Sequence, residues 1–185
     1  MNRRMRTYYF AIFGAIGGLI GWQISNLLGL SFVANIYLGE AIVGALVGLS
    51  IGMLIGVAEG VLTMNLVRAA RSAGLGALLG LGAGAIGLPL GEWLFQAVGA
   101  GFLGRTLGWA IFGLLIGLAE GFGGHGQTWK GILGGFLGGA FGGFILQGMQ
   151  ILLKASMFGK AIGLVLLGAS VGAFISLIVV LLARA

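Results

Sequence analysis

Long apolar runs alternate along this chain with short clusters of charged and polar residues. The runs cover residues 8–30, 38–62, 72–91, 105–121, 130–154 and 160–183. Each is close to the ~20 residues with which a helix spans about 30 Å of hydrocarbon. Lipid offers no hydrogen-bond partners, so a chain inside it must satisfy its own backbone as a helix. The pattern therefore predicts an all-α membrane protein with six transmembrane helices.

Glycine recurs at every fourth position of the second run, at Gly44, Gly48, Gly52, Gly56 and Gly60. On a helix these positions line one narrow stripe. In water each interior glycine would cost about 1 kcal/mol relative to alanine, but in a bilayer the missing side chains let a second helix approach to backbone contact. Similar steps occur in the fourth and fifth runs, at Gly113, Gly117, Gly135, Gly139 and Gly143. We expect these glycines to form closely packed GxxxG seams.

One longer glycine spacing occurs twice, at Gly104, Gly108, Gly113 and Gly117 and again at Gly159, Gly163, Gly168 and Gly172. A basic residue follows the first member of each set, Arg105 and Lys160. The second and fourth runs also end alike, in Ala-Glu-Gly at residues 58–60 and 119–121. These similarities predict a single integral membrane domain over residues 1–185, built from three helical hairpins in parallel repeat at about 7–62, 71–121 and 130–183.

The composition agrees with a membrane protein and excludes several other classes. Hydrophobic residues make up 59% of the chain and charged residues 8%, whereas soluble domains carry about 25% charged residues. The net charge of +6 comes from basic residues scattered at the ends of the runs, not from the stripe that binds nucleic acid. The absence of cysteine excludes disulfides, thiolate catalysis and Fe–S ligation.

The basic residues also predict an orientation. One side of the predicted membrane holds Arg3, Arg4, Arg6, Arg68, Arg71, Lys130 and Arg184. The other side holds Arg105, Lys154 and Lys160. The positive-inside rule therefore places both termini in the cytoplasm. The first run is too long for a signal peptide and lacks a small-residue cleavage site, so we interpret it as an uncleaved helix.

Pro89 lies near the far end of the third run. A proline removes a backbone donor and clashes with the preceding turn of a helix. We therefore expect the third helix to kink or end around Leu88. On this interpretation residues 94–104 form a connection at the membrane interface, and Arg105 begins the fourth helix.

Four polar residues within the runs are candidates for an ion or solute site. Glu59 and Glu120 occupy matching positions near the predicted cytoplasmic ends of their helices. Headgroups and water reach carboxylates there, so interfacial anchoring is favoured over a paired ion or proton site. Ile175 stands at the equivalent place in the third hairpin, which removes threefold symmetry. Gln147 and Gln150 lie at the depth of the outer leaflet, where helix-to-helix hydrogen bonds are favoured over a cavity lining.

Other patterns carry less chemistry. Glu40, Glu92 and Arg105 gather on the outer side, where a solvated rim is favoured over an ion pair because exposed pairs contribute little. Residues 82–87 fit the dinucleotide fingerprint G-x-G-x-x-G, but the required strand–turn–helix context is missing, and helix packing is favoured. His125 lies in a glycine-rich turn without the further ligands of a metal site. We predict no catalytic, cofactor-binding or metal-ligating residue, and no enzyme.

The stretches GWAIFGLLIGLAEG at residues 108–121 and GGFLGGAFGGF at residues 134–144 resemble the glycine-rich membrane regions that accompany forkhead-associated domains, the phosphothreonine readers, in some bacterial proteins. The resemblance covers most of the chain, although no forkhead-associated domain is expected within its 185 residues. It implies a membrane module that supports cytoplasmic signalling, in the cytoplasmic (inner) membrane of a bacterium. No functional residue is carried over from it.

Two functions remain open on these grounds. The first is a non-enzymatic membrane scaffold or anchor, or a signalling-associated module. Its partners would be the lipid bilayer and either a second copy of the chain or a membrane or cytoplasmic protein. The alternative is a small ion or solute channel or transporter with a path near Glu59 and Glu120, lined also by Gln147 and Gln150. A polar cavity that reaches the two glutamates favours transport, whereas dry glycine contacts throughout favour the scaffold.

Overall fold

A computed structural model describes residues 3–29, 34–99, 101–123, 128–153 and 157–182, with the side chains of residues 3, 4 and 119–123 left out. Every regular element in these ranges is an α-helix. The helices are α1 (Arg3–Leu27), α2 (Ile36–Leu62), α3 (Leu66–Ala97), α4 (Phe102–Gly123), α5 (Thr128–Leu152) and α6 (Met157–Leu182).

Five of the helices, α1, α2, α3, α5 and α6, are long and apolar enough to cross a membrane. In α4 the apolar stretch with described side chains is shorter, Phe102–Leu118. Large apolar side chains also stand exposed on the outside of the bundle, among them Leu78, Ile86 and Phe141. Apolar residues on the outer surface suit a lipid environment. The all-helical fold and the multi-pass membrane character predicted from the apolar runs are therefore what the structure has.

Of the two outcomes expected at Pro89, a kink or an end of the third helix around Leu88, the end is wrong. Helix α3 continues through Pro89 to Ala97, and α4 begins at Phe102, so the connection is much shorter than residues 94–104. Proline is tolerated within membrane helices because neighbouring groups satisfy the freed backbone. The last turns of α3 also pack on α4: an added Cβ at Gly91 would lie 2.7 Å from the Cα of Gly108.

Short polar caps begin two of the helices. The Asn35 side chain accepts hydrogen bonds from the backbone N–H groups of Tyr37, at 3.0 Å, and Leu38, at 3.2 Å. The Asn65 side chain accepts one from the N–H of Arg68 at 2.9 Å. Such caps satisfy donors that the first turn of a helix leaves unpaired. Only residues 63–65 separate α2 from α3, so these two helices run antiparallel as neighbours.

The helices form a closed ring in chain order. Each helix packs along the one before it and the one after it, and α1 packs against α6. The large, almost fully buried side chains come chiefly from α2, α4 and α6, and they include Val47, Ile51, Ile55, Phe112, Ile116, Leu167, Val171 and Ile175. The even-numbered helices therefore fill the middle of the ring with bulky apolar side chains.

Glycines lie where the helix backbones approach each other most closely. A Cβ added at Gly44, Gly48 or Gly52 of α2 would overlap the carbonyl oxygen of a glycine in α3, respectively Gly84, Gly80 and Gly76. The two further α2 glycines face Ser72 and Ala69 of α3, and the α4 glycines 113 and 117 face glycines of α5. Gly135 and Gly139 of α5 face the backbone of α4, and Gly143 faces the side chain of Trp109. Each of the ten glycines expected to form GxxxG seams thus lies at a helix–helix contact.

A hydrogen bond joins α5 and α6 at the bundle end where α1 begins and α6 ends. Lys130, in the first turn of α5, is only 7% exposed, and its Nζ donates a 2.5 Å hydrogen bond to the carbonyl oxygen of Leu182 at the end of α6. A cation at a helix C-terminus is favoured by the unpaired carbonyls and by the helix dipole. Lys130 therefore has a structural partner at this end of the bundle, in addition to its predicted role as a topology signal.

Candidate functional site

A polar cavity of about 540 Å³ lies at the end of the bundle opposite the termini, which we call the distal end. At the distal end α1, α3 and α5 end and α2, α4 and α6 begin. All six helices contribute residues to the cavity lining. Cavities of several hundred Å³ with a few convergent polar groups are typical of small-molecule sites.

The lining changes from polar to apolar with depth. The polar rim consists of Asn26, Glu40, Arg105, Gln147, Gln150 and Lys160. Three or four positions further toward the middle of the same helices, the lining residues are Trp22, Val43, Trp109, Leu146 and Leu164, joined by Leu88 of α3. Because residues at this spacing lie one turn apart on one helix face, these side chains form an apolar floor beneath the rim.

Arg105 is the centre of an ion-pair cluster on one side of the rim. Its Nη1 lies 3.1 Å from Oε2 of Glu92 and 3.9 Å from Oε1 of Glu40. The guanidinium also lies over the ring of Phe95, 4.4 Å from its centroid, a favourable cation–π contact. These contacts hold the Arg105 side chain in place between α2, α3 and α4.

Glu92 is buried, with only 4% of its side chain exposed. Its Oε1 accepts a 3.0 Å hydrogen bond from Nε2 of Gln96, whose Oε1 in turn accepts one of 3.1 Å from the hydroxyl of Tyr37. The Oε2 atom has no hydrogen-bond partner among the described residues, so the charge of Arg105 compensates it. The expectation that a solvated rim is favoured over an ion pair at this end is therefore wrong for Glu92. Because α3 continues past Pro89 to Ala97, Glu92 lies within a helix and not in an interfacial loop.

The four candidate polar residues do not come together. Gln147 and Gln150 border the cavity, with Glu40, Arg105 and Lys160. Glu59 lies in the last turn of α2 at the opposite end of the bundle, and it does not line the cavity. Glu120 is near the end of α4, and its side chain lies outside the described part of the structure.

Sequence reasoning missed the charged members of the rim as a set, although the sequence holds a signal for them. Arg105 and Lys160 each follow the first glycine of a repeated spacing. The pair Gly39-Glu40 stands in the same relation to the glycines of α2 at positions 48 and 52. Glu40, Arg105 and Lys160 therefore have one place in the pattern, and all three border the cavity.

The weaker sequence patterns do not coincide with a site in the described part of the chain. Residues 82–87, which fit the dinucleotide fingerprint, lie inside α3, where Gly84 contacts α2 and Gly87 faces Phe112 of α4. No group of three or more potential metal ligands occurs among the described residues. His125 lies outside them.

Comparison of the chain with protein-family models, with curated proteins and with solved structures found no match. The interpretation of the cavity therefore depends on its own geometry and charge.

Proposed function

We propose that this protein is a carrier that admits a small polar solute into the distal cavity from the outer side of a bacterial cytoplasmic membrane. The observation that carries the proposal is the cavity itself, which residues of all six helices line and three charged residues border. A function limited to scaffolding or anchoring does not require such a cavity. The chain then acts without covalent chemistry, as a binding and translocating protein.

The proposed architecture has six crossings, arranged as three hairpins that repeat in parallel. The glycine contacts between neighbouring helices would hold these crossings together, because small residues allow the backbone approach on which membrane helices depend. The excess of basic residues at the end that contains the termini supports a cytoplasmic location for both of them. The distal cavity then opens away from the cytoplasm.

Charge at membrane depth supports a binding function. A charged side chain at the centre of a membrane helix costs about 2.5–3.5 kcal/mol on insertion scales, so such residues commonly mark substrate or ion pathways. Glu40, Arg105 and Lys160 lie near helix ends, where this cost is lower, but they converge on one space. Convergence of such groups on one concave space is what a solute site requires.

The space beneath the cavity favours a carrier over an open channel. One to two turns below the apolar floor lies a layer of side chains that are no more than 1% exposed, formed by Val47, Ile51, Phe112, Leu167 and Val171. An open channel needs a water-filled path, whereas a carrier open to one side is closed toward the other. This layer is the closed side of the proposed carrier.

Uptake by reconstituted protein tests the proposal. Proteoliposomes would be incubated with a uniformly ¹³C-labelled extract of small polar metabolites, and the compounds retained would be identified by mass spectrometry. We expect at least one compound to accumulate above the level of protein-free liposomes. Gln147→Trp, which fills the cavity, should abolish this uptake. Phe144→Trp is the matched control on the same helix, because Phe144 is 57% exposed on the outside of the bundle.

The absence of uptake by the unmodified protein would refute the carrier. It would return the preference to a membrane scaffold or signalling module, which the resemblance to regions that accompany forkhead-associated domains suggests. Uptake that Gln147→Trp leaves intact would place the path elsewhere and would also contradict the proposal.

A further inference from the structure

We propose that the distal cavity binds a small zwitterion with an apolar body, of the chemical class of an aliphatic or aromatic α-amino acid. The inference rests on the proposed function, since it names the solute class for the same cavity. It is carried by two features of the lining: opposite charges on facing helices at the rim, and an apolar floor one turn below them.

The charged side chains at the rim are not completely paired with one another. Arg105 is closest to the buried Glu92, at 3.1 Å, and its distance to Glu40, 3.9 Å, is at the limit of an ion pair. Glu40 is thus the carboxylate with the weaker partner, and 29% of its side chain is exposed. Lys160 has no carboxylate within ion-pair distance among the described residues.

A site with one incompletely paired carboxylate on α2 and one incompletely paired ammonium on α6 matches a ligand that carries both charges. A simple cation would meet Arg105 and Lys160, and a simple anion would meet Glu40. A neutral solute would displace water from both charges and compensate neither, which costs free energy at the half-buried Glu40 although Lys160 itself is exposed. Specific sites reject ligands in this way, by leaving charges unpaired.

The apolar floor determines which substituent the ligand carries besides its two charged groups. Val43 of α2 and Leu164 of α6 lie one turn beneath Glu40 and Lys160, with Leu146 and Leu88 beside them. A zwitterionic head at the rim would direct its substituent onto these side chains, where burial of each CH₂ contributes about 0.8 kcal/mol. The volume of about 540 Å³ leaves room for a side chain as large as an aromatic ring.

Binding to matched probes tests the inference. The full chain would be placed in nanodiscs of phosphatidylglycerol, a lipid without an ammonium group, and equilibrium binding of radiolabelled leucine would be measured. Competitors would be leucine methyl ester, which keeps only the cation, N-acetylleucine, which keeps only the anion, and glycine, which lacks the apolar body. We expect leucine to bind, and each truncated probe to bind roughly 30-fold more weakly or worse. The methyl ester and the N-acetyl compound each lose one charge pair, and glycine loses the contacts with the apolar floor.

Two variants assign the charges to their partners. Glu40→Gln should weaken leucine binding and reduce the discrimination against N-acetylleucine, while Lys160→Gln should reduce the discrimination against leucine methyl ester. A merely structural role would weaken all probes alike. Arg71→Gln, an exposed residue at the opposite end of the bundle, is the control and should leave every affinity unchanged.

Equal affinity for all four probes, or no binding of leucine, would overturn the inference. So would competition by phosphatidylethanolamine added to the nanodiscs together with weak binding of free leucine, because the cavity would then hold a lipid headgroup. The carrier proposal would survive each of these results if the labelled metabolite extract still showed uptake sensitive to Gln147→Trp. The two proposals therefore fail separately.

Discussion

Gly138 of α5 offers a direct test of how closely the helices pack. A Cβ added there would lie 2.7 Å from the Cα of Val171 and 2.7 Å from the carbonyl oxygen of Ser170, both in α6. Neither neighbour is the flexible end of a side chain, so neither can rotate away. Gly148 lies on the same helix, and an added Cβ there meets nothing within 4 Å. The pair Gly138→Ala and Gly148→Ala therefore compares the same chemical change at a closed and at an open position.

The expected magnitude follows from the missing space. Carbon atoms in contact prefer a separation of about 3.5–4.0 Å, so Gly138→Ala must move α5 away from α6 by about 1 Å. A gap of this size forfeits roughly a quarter to a half of the attraction between the atoms that line it. Overpacked sites typically lose about 1–3 kcal/mol, and we expect Gly138→Ala near the upper part of this range. Gly148→Ala should change stability by less than about 1 kcal/mol, in the direction of greater stability, because alanine favours the helix.

Unfolding of the purified protein in mixed micelles, with increasing dodecyl sulfate and circular dichroism as the probe, would measure both variants. The reasoning predicts a lower midpoint for Gly138→Ala than for the unmodified protein and an equal or higher midpoint for Gly148→Ala. Equal midpoints for the two variants would refute the backbone contact between α5 and α6.

Three further variants follow from the polar residues. Glu92→Ala would leave Arg105 without its nearest carboxylate. Because the Arg105 side chain is 37% exposed and keeps Glu40 at 3.9 Å, we expect a loss of about 1–3 kcal/mol in the same unfolding assay, with an unchanged midpoint as the contrary result. Lys130→Met removes the hydrogen bond to Leu182 and should lower the free energy of unfolding by about 1–3 kcal/mol. Amide hydrogen exchange at the end of α6 should then accelerate, and unaltered exchange would contradict a stabilising role of this hydrogen bond. Glu59→Gln combined with Glu120→Gln should leave uptake into proteoliposomes unchanged, whereas loss of uptake would restore the path predicted near these two residues.

The number and type of helices could be predicted because the membrane imposes a simple rule. An apolar run of sufficient length must become a helix in lipid, whatever its glycine content. The same reasoning failed in part at Pro89, where a rule derived largely from water-soluble helices predicts a kink or an end around Leu88. Helix α3 in fact continues to Ala97. An early end of the helix places Glu92 at the helix border, where water would reach it. The buried ion pair between Glu92 and Arg105 was therefore not expected.

The cavity could be predicted only in part. Gln147 and Gln150 stood out from the sequence as polar residues in an apolar run, and both border the cavity. The sequence groups Glu40 with Glu92 and Arg105 on the outer side, but it does not join Lys160 to them, because the shared place of Glu40, Arg105 and Lys160 becomes informative only when α2, α4 and α6 are seen to converge. Which helix faces meet is decided by packing between distant segments, and the periodicity of one helix does not contain that information.

Thiol labelling tests the central claim most directly, because the chain has no cysteine of its own and Gln147→Cys would be its single thiol. Intact cells that express this variant would be treated with a membrane-impermeant maleimide, with Val171→Cys in the buried layer as the matched control. The account predicts labelling of Gln147→Cys from outside the cell and none of Val171→Cys. Failure of Gln147→Cys to react until the membrane is permeabilised would contradict a solute cavity that opens to the outer side.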